Sequence, residues 1–308
     1  MKCTLVVSVY NEEQVLEQFY GEVTRVAAGL DCEVELLMVD DGSSDGSAAI
    51  MERLAAADSR VRTLHFSRNF GHEAAMLAGI DHATGDVVVC MDADLQHPPA
   101  LLPDMLRAYG EGADVVTMVR RERADGGWLR RLTSKAFYRI INRMADCSLE
   151  PNASDFFLVS GRVAQVLRTQ YRERTRFLRG FIQTVGFERR SLAFDAPERA
   201  AGQSKYSLHR LVRLSLGAIA SFSKAPLRLG LYGGLAFGLL SVALIVYSIV
   251  MWIVQRPVGG YTTLIIFLSA FACILLLVMG LIGYYIGLIF DEVKGRPIYI
   301  LKDDNDRC

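Results

Sequence analysis

The sequence Cys90-Met91-Asp92-Ala93-Asp94-Leu95-Gln96-His97-Pro98-Pro99 follows directly on the apolar run Val87-Val88-Val89. Two carboxylates one residue apart, at the end of a buried strand, offer oxygen ligands to a hard divalent cation, and a cation held that way grips a diphosphate. The competing reading is an Asp-x-Asp that only caps the helix after it. Two more acidic groups close apolar runs. Tyr10-Asn11-Glu12-Glu13 follows Thr4–Val9, where Tyr10 could stack on a base and Glu12 accept a hydrogen bond from base or ribose. Asp40-Asp41-Gly42-Ser43-Ser44-Asp45 follows Val34–Val39, where paired acids could grip a base or ribose while Gly42 turns the chain. Each of these also reads as a helix start, with acids near the positive end of the helix and Asp45 as an N-cap. Their order and common placement carry more than any one of them.

That placement follows from the elements around them. Residues 1–115 alternate between strand-like and helical runs: strands at Thr4–Val9, Val34–Val39, Val61–Phe66 and Asp86–Met91, and helices at Glu12–Ala28, about Asp45–Ala57, and Glu73–Ala83. This alternation predicts a mostly parallel α/β sheet with helices on both faces. Such sheets bind ligands beyond the carboxyl ends of their strands. Tyr10, Glu12, Asp40, Asp41, Arg68, Asp92 and Asp94 all follow strand ends, and Arg120 follows the strand-like run Val115–Val119.

The 308 residues carry 34 Lys plus Arg and 34 Asp plus Glu, so bulk charge gives no reason to expect a nucleic-acid partner. The distribution is uneven, however. No charged residue intervenes between Arg228 and Arg256, or between Arg256 and Asp291. Each stretch exceeds the roughly 20 apolar residues that cross a bilayer core, which predicts two spans rather than two buried core helices. Lys224 and Arg228 precede the first and Lys294 and Arg296 follow the second, while the turn offers only Arg256. The positive-inside bias then places both termini in the cytoplasm, with the chain in the inner membrane. Basic amphipathic helices are expected at 128–144 and 207–222, the second in the headgroup region. Six scattered cysteines form no Cys-x-x-Cys pair, which indicates neither a zinc site nor a disulfide framework. No signal-peptide pattern opens the chain, and no Gly-x-Gly-x-x-Gly of a dinucleotide dehydrogenase follows the first strand.

Taken together, Tyr-Asn-Glu at 10–12, Asp-Asp-Gly-Ser-Ser-Asp at 40–45, Ser-Arg-Asn-Phe-Gly-His-Glu-Ala-Ala at 67–75, Asp-Ala-Asp-Leu-Gln-His-Pro-Pro at 92–99, Ser-Asp-Phe at 154–156, Gly-Gln-Ser-Lys-Tyr-Ser at 202–207 and the closing Gly-Tyr-Tyr-Ile-Gly and Arg-Pro-Ile-Tyr resemble the inverting family-two glycosyltransferases of GT-A fold. The likeness extends along the whole chain to the polyprenyl-phosphate branch, with its bactoprenol glucosyltransferases, undecaprenyl-phosphate aminoarabinose transferases and dolichyl-phosphate mannose synthases. It departs at Ser8, where the family usually has Pro, and at His72, where relatives often have Lys.

The resemblance implies a sugar moved from a nucleotide-sugar, UDP-linked by the bacterial two-span layout, to a polyprenyl phosphate such as undecaprenyl phosphate for the cell envelope. It implies Mg2+ or Mn2+ at Asp92, Asp94 and Gln96. Tyr10, Glu12, Asp41 and Arg68, with Asp92, would form the nucleotide pocket. Arg120, Arg130 and Ser134 would hold the acceptor phosphate and the transferring diphosphate, Asp155 would face the donor sugar, and Ser204 and Lys205 would belong to a loop closing on the acceptor. The expected organisation is a cytoplasmic GT-A Rossmann-like catalytic domain at 1–206, an interfacial helix at 207–227, two spans within 228–290 at about 229–254 and 261–289, and a cytoplasmic tail at 291–308. Relatives suggest a homo-oligomer. The alternatives are a transferase for polysaccharide or glycolipid, and a non-catalytic membrane subunit that senses nucleotide-sugar. Two spans without an internal ionisable residue offer no pathway for a polar substrate, which weighs against a transporter.

Overall fold

The computed structural model describes residues 1–121, 150–174, 176–195, 197, 225–254 and 260–302. Arg130, Ser134, Ser204 and Lys205 lie outside the described residues, as do both expected basic helices, 128–144 and 207–222. The chain divides into two compact units: one holds the sheet together with the residues from Arg296 onward, and the other holds two long helices.

The sheet unit opens as the alternation predicts: β1 Lys2–Val9, α1 Leu16–Ala27, β2 Glu33–Asp40, α2 Ser47–Ala57, β3 Val61–His65, α3 His72–His82 and β4 Val87–Asp92. A single 3-10 turn, Pro99–Leu101, leads into α4 Leu102–Gly110 and β5 Val115–Arg120. After the undescribed stretch come β6 Ala153–Ser160, α5 Gly161–Thr169, α6 Leu178–Thr184 and β7 Arg189–Phe194. The strand order is β3-β2-β1-β4-β6-β5-β7. All neighbouring strands are parallel except β6, which runs antiparallel to both β4 and β5.

The two-residue period of β1 explains why helices cover both faces. Cys3, Leu5, Val7 and Val9 join Leu16, Phe19 and Val23 of α1, Met51 of α2 and Met105 of α4 in one core. On the opposite face Val6 meets α3 so closely that a Cβ on Gly79 would lie 2.0 Å from Val6 Cγ1. Each fully buried Leu, Val or Phe side chain in these layers contributes roughly 1.5–3 kcal/mol. The first helix begins later than the apolar pattern suggests. Asn11 has φ 56°, and the amides of Val15 and Leu16 both bond the carbonyl of Glu12, so Glu12 sits in a turn before the helix proper.

The other unit consists of α7 Ala225–Ile253 and α8 Tyr261–Val293. Both are long and apolar enough to cross a membrane. Leu239 and Leu277 are each 68% exposed, so these are not helices wrapped in a protein core. The residues beyond α8 were expected only as a short polar tail. Instead, Leu301 forms an antiparallel bridge with Phe66 at the end of the edge strand β3. The Ser67 amide donates to the Ile300 carbonyl at 2.9 Å, and the Lys302 amide to the His65 carbonyl at 2.8 Å.

Candidate active site

The carboxyl ends of β1, β2 and β4 converge because these strands are adjacent and parallel, with Ser8 in register with both Val39 and Asp92. β6 enters this rim from the other direction. Its antiparallel register pairs Phe157 with Cys90, which brings the start of β6, and Asp155, to the end of β4. Asp92, Asp94, Gln96, Arg120 and Asp155 are thereby drawn together from residues up to 63 positions apart.

A continuous polar chain runs through them. Arg120 approaches Gln96 Oε1 at 3.4 Å and His97 Nε2 at 3.2 Å. His97 Nδ1 accepts from the Asp92 amide at 2.9 Å, and its ring stacks on Phe156 with centroids 5.2 Å apart. His72 Nε2 stands 3.5 Å from Asp92 Oδ1 and 3.5 Å from Asp155 Oδ2. Asp155 Oδ1 pairs with Arg179 Nε at 2.7 Å. The Asp155 carboxylate thus faces two cationic side chains, Arg179 and His72.

Electrostatics follow from the burial. Burial alone would lower the His72 pKa, but the carboxylates of Asp92 and Asp155 outweigh it and push the imidazole up to about 9. Burial acts to raise Asp155, yet Arg179 and His72 hold its carboxyl well below the usual carboxylate range. Glu73, beside them on α3, is pushed up to about 7 by burial and by the Asp155 charge. Burial, and after it the Arg120 charge, push His97 down against the opposing pull of Asp92. His72 also bonds Ser8 Oγ through Nδ1 at 2.7 Å, so the two positions that depart from the family pattern contact one another.

The oxygens around the end of β4 are those a divalent cation would meet. Asp92 Oδ1 is buried and accepts no hydrogen bond. Asp94 accepts from the Gln96 amide at 3.0 Å across a turn in which Leu95 has φ 61°. A non-glycine residue held there costs about 1–3 kcal/mol, and such strain clusters at functional sites. Among the described residues no group of three or more His, Cys, Asp or Glu forms a complete metal cage. The donor set therefore suits a cation bound by one or two carboxylates, which takes its other ligands from substrate phosphate and water.

A second group lies at the β1, β2 and β3 ends. Asp41 is buried and accepts from the amides of Phe70 at 2.7 Å and Gly71 at 3.0 Å. Its pKa is raised, first by burial and then by Asp40, despite those amides. Asn11 Oδ1 accepts from the Ser44 amide at 2.8 Å, and Ser47 Oγ accepts from the Glu12 amide at 2.9 Å, which ties the two acidic turns together. Tyr10 is 49% exposed. The exposed Arg68 lies over the Phe70 ring at 4.0 Å. The sequence reading assigned no role to His97, Glu73 or Arg179. The one available signal was the cation spacing in Arg172, Arg174, Arg176 and Arg179, a run that leads into a helix.

Residues 4–167 match the glycosyl transferase family 2 profile. The chain is 37% identical over 302 residues to an uncharacterised glycosyltransferase, YkcC, of Bacillus subtilis, spanning 97% of this chain and 93% of that one. It is 37% identical over 308 residues to the bactoprenol glucosyl transferase of Shigella phage SfV, spanning all of both. Among solved structures, glucosyl-3-phosphoglycerate synthase from Mycobacterium tuberculosis, in complex with Mn2+, uridine diphosphate and phosphoglyceric acid, aligns with a TM-score of 0.48 at 22% identity, over 71% of this chain and 76% of that one.

Proposed function

The chain belongs to glycosyl transferase family 2 and is a glycosyltransferase, and from that premise we propose that it moves a sugar from a UDP-sugar to a polyprenyl phosphate, with inversion at the sugar carbon, at the cytoplasmic face of a membrane. The observation that carries the proposal is a strand-end Asp92–Asp94 pair with Arg120 held beside Gln96 and His97, in a chain that also holds two helices long and apolar enough to cross a bilayer. Identity along its full length to a protein named for a bactoprenol acceptor supports the choice of lipid.

In this reading Asp92 and Asp94 would hold Mg2+ or Mn2+, with Gln96 beside them. When bound, the ion neutralises charge developing on the departing diphosphate. Tyr10, Glu12, Asp41 and Arg68 surround the nucleotide. The acceptor phosphate is already anionic, so attack on the sugar carbon needs no strong general base. It needs cations that let two negative groups approach, and Arg120 presents a buried Nε with no hydrogen-bond partner. Arg130 and Ser134, one helical turn apart in sequence, would assist it, and Ser204 and Lys205 would close over the acceptor. Asp155, fixed by Arg179, shapes the sugar side of the site. Replacing Arg120 with Ala should weaken use of the lipid phosphate roughly tenfold to a hundredfold. Donor affinity measured by calorimetry in the same variant should change much less. A collapse of donor affinity with acceptor dependence intact would move Arg120 to the nucleotide side.

Lys224 and Arg228 before the first long apolar stretch and Lys294 and Arg296 after the second support a helical hairpin with both ends on the cytoplasmic side. Both termini are then cytoplasmic, and the turn near Gly259 is on the opposite face. A cysteine at Gly259, in a background lacking other accessible thiols, should react with an impermeant reagent from outside intact cells. Labelling of the N-terminal domain instead would contradict the topology.

The function itself is tested by transfer of labelled sugar from a panel of nucleotide-sugars, with undecaprenyl phosphate or diacylglycerol as acceptor. The expected result is label in the organic phase only with the polyprenyl phosphate. Label on diacylglycerol would favour the glycolipid alternative, and binding of the donor without transfer to any acceptor would favour the sensing one.

A further inference from the structure

Among the described residues that follow α8, 299–302 pack at the outer edge of β3 and on α3, through both backbone and side chain. Beyond the bridge between Phe66 and Leu301, Tyr299 stacks on Phe66 with ring centroids 5.3 Å apart and planes at 12°. Its hydroxyl donates to Asp81 Oδ2 on α3 at 2.9 Å, and the Arg172 guanidinium clamps the same carboxylate at 2.8 Å. Tyr299 is therefore fixed at both ends: its ring against β3 and its oxygen against α3.

Phe66 begins the turn that carries Arg68. It meets Phe70 edge-on at 5.6 Å, Arg68 lies over Phe70, and the Phe70 and Gly71 amides point to Asp41. On the other side the turn lies against Gly42, where a Cβ would come within 2.6 Å of the Arg68 carbonyl carbon. The 66–71 turn is thus wedged between the Gly42 corner and the returning chain. The stacked ring adds an aromatic contact beyond plain burial, and the two backbone bonds make a short bridge at an otherwise open sheet edge.

We infer that Tyr299 is a positioning residue for the donor site: by stacking on Phe66 and anchoring on Asp81 it holds the 66–71 turn, with Arg68 and the Phe70 and Gly71 amides, in the arrangement that receives the nucleotide. The segment emerging from the second long helix is then a structural part of the nucleotide pocket. The inference rests on the proposed donor role of Asp41 and Arg68, although the mechanical link to the turn can be read separately.

The test compares the full-length protein in detergent with Tyr299→Ala and Tyr299→Phe. Hydrogen exchange is followed in peptides covering 66–71 and in β1 and β4, and UDP binding is measured by calorimetry with Mg2+. In Tyr299→Ala, exchange at Phe70 and Gly71 should quicken about tenfold or more while β1 and β4 keep their protection. UDP affinity should fall by a similar factor. Tyr299→Phe, which keeps the ring stack and loses the Asp81 bond, should fall between the parent and Tyr299→Ala in both. Unchanged exchange and unchanged UDP affinity in Tyr299→Ala would overturn the inference, as would loss of protection spread equally through β1 and β4. Selective loosening of 66–71 in a protein whose parent form binds no UDP would support the coupling and count against the UDP reading instead.

Discussion

Asp94→Asn should remove most transfer activity, by about a hundredfold or more, while leaving a protein that folds and is extracted as the parent is. The side chain lies past the end of β4, outside the core assembled around β1, so little packing is lost. The amide keeps the shape and can still accept from the Gln96 amide, as Asp94 Oδ1 does. What it lacks is charge, and a hard cation takes a neutral amide as a poorer ligand than a carboxylate. Initial rates with saturating donor and purified lipid phosphate, over a range of Mg2+ and Mn2+, provide the measurement. A rate equal to the parent's at every metal concentration would remove Asp94 from the site. Partial recovery at high metal would support a ligand role.

The second large effect is on stability, at the pair between Asp155 and Arg179. Arg179→Ala should destabilise the sheet unit by about 1–3 kcal/mol, less than a fully buried pair would cost, because the Arg179 side chain is 38% exposed and His72 still faces the carboxylate. The cost arises from the carboxylate left behind, so Asp155→Asn added to Arg179→Ala should restore part of the loss. The sign with pH follows from the direction of the shift. Asp155 has a folded-state pKa below its unfolded value. Its contribution is therefore present above the ordinary Asp value and lost as pH falls through the folded one. The deficit between parent and Arg179→Ala should be full at neutral pH and narrow below about pH 4. Unfolding midpoints of the full chain across that range give the comparison. A deficit that grew with acid, or a double variant no more stable than Arg179→Ala, would show that the two residues do not act as a pair.

These residues differ in how visible they are in the sequence. Asp92 and Asp94 can be found because the apolar run before them is unbroken and the acids follow at once. The same holds for Asp40 and Asp41. Parallel strands with helical crossovers then bring such ends together without further information. Asp155 is different. Its strand runs antiparallel, within a region whose apolar runs are short and mixed with polar residues, and only the family resemblance singled it out. Its partner Arg179 lies on a separate helix and cannot be paired with it by any local period. His97 reads as a turn residue beside two prolines, and its burial depends on Phe156 and Phe194 from distant strands. The returning chain at Pro297-Ile298-Tyr299-Ile300-Leu301 reads as a tail because it follows a charged helix end. The edge it completes is formed by residues more than two hundred positions earlier.

In the proposed transfer a lipid phosphate oxygen attacks the sugar carbon and the whole nucleoside diphosphate departs. The mass of the lipid product measures this directly. Purified protein incubated with undecaprenyl phosphate and its best nucleotide-sugar should yield a lipid heavier by one sugar residue and no additional phosphate, with the nucleoside diphosphate released in equal amount. A lipid heavier by a sugar and a phosphate together, with nucleoside monophosphate released, would mean that the diphosphate bond is cleaved instead and would contradict the assignment of Asp92, Asp94 and Arg120.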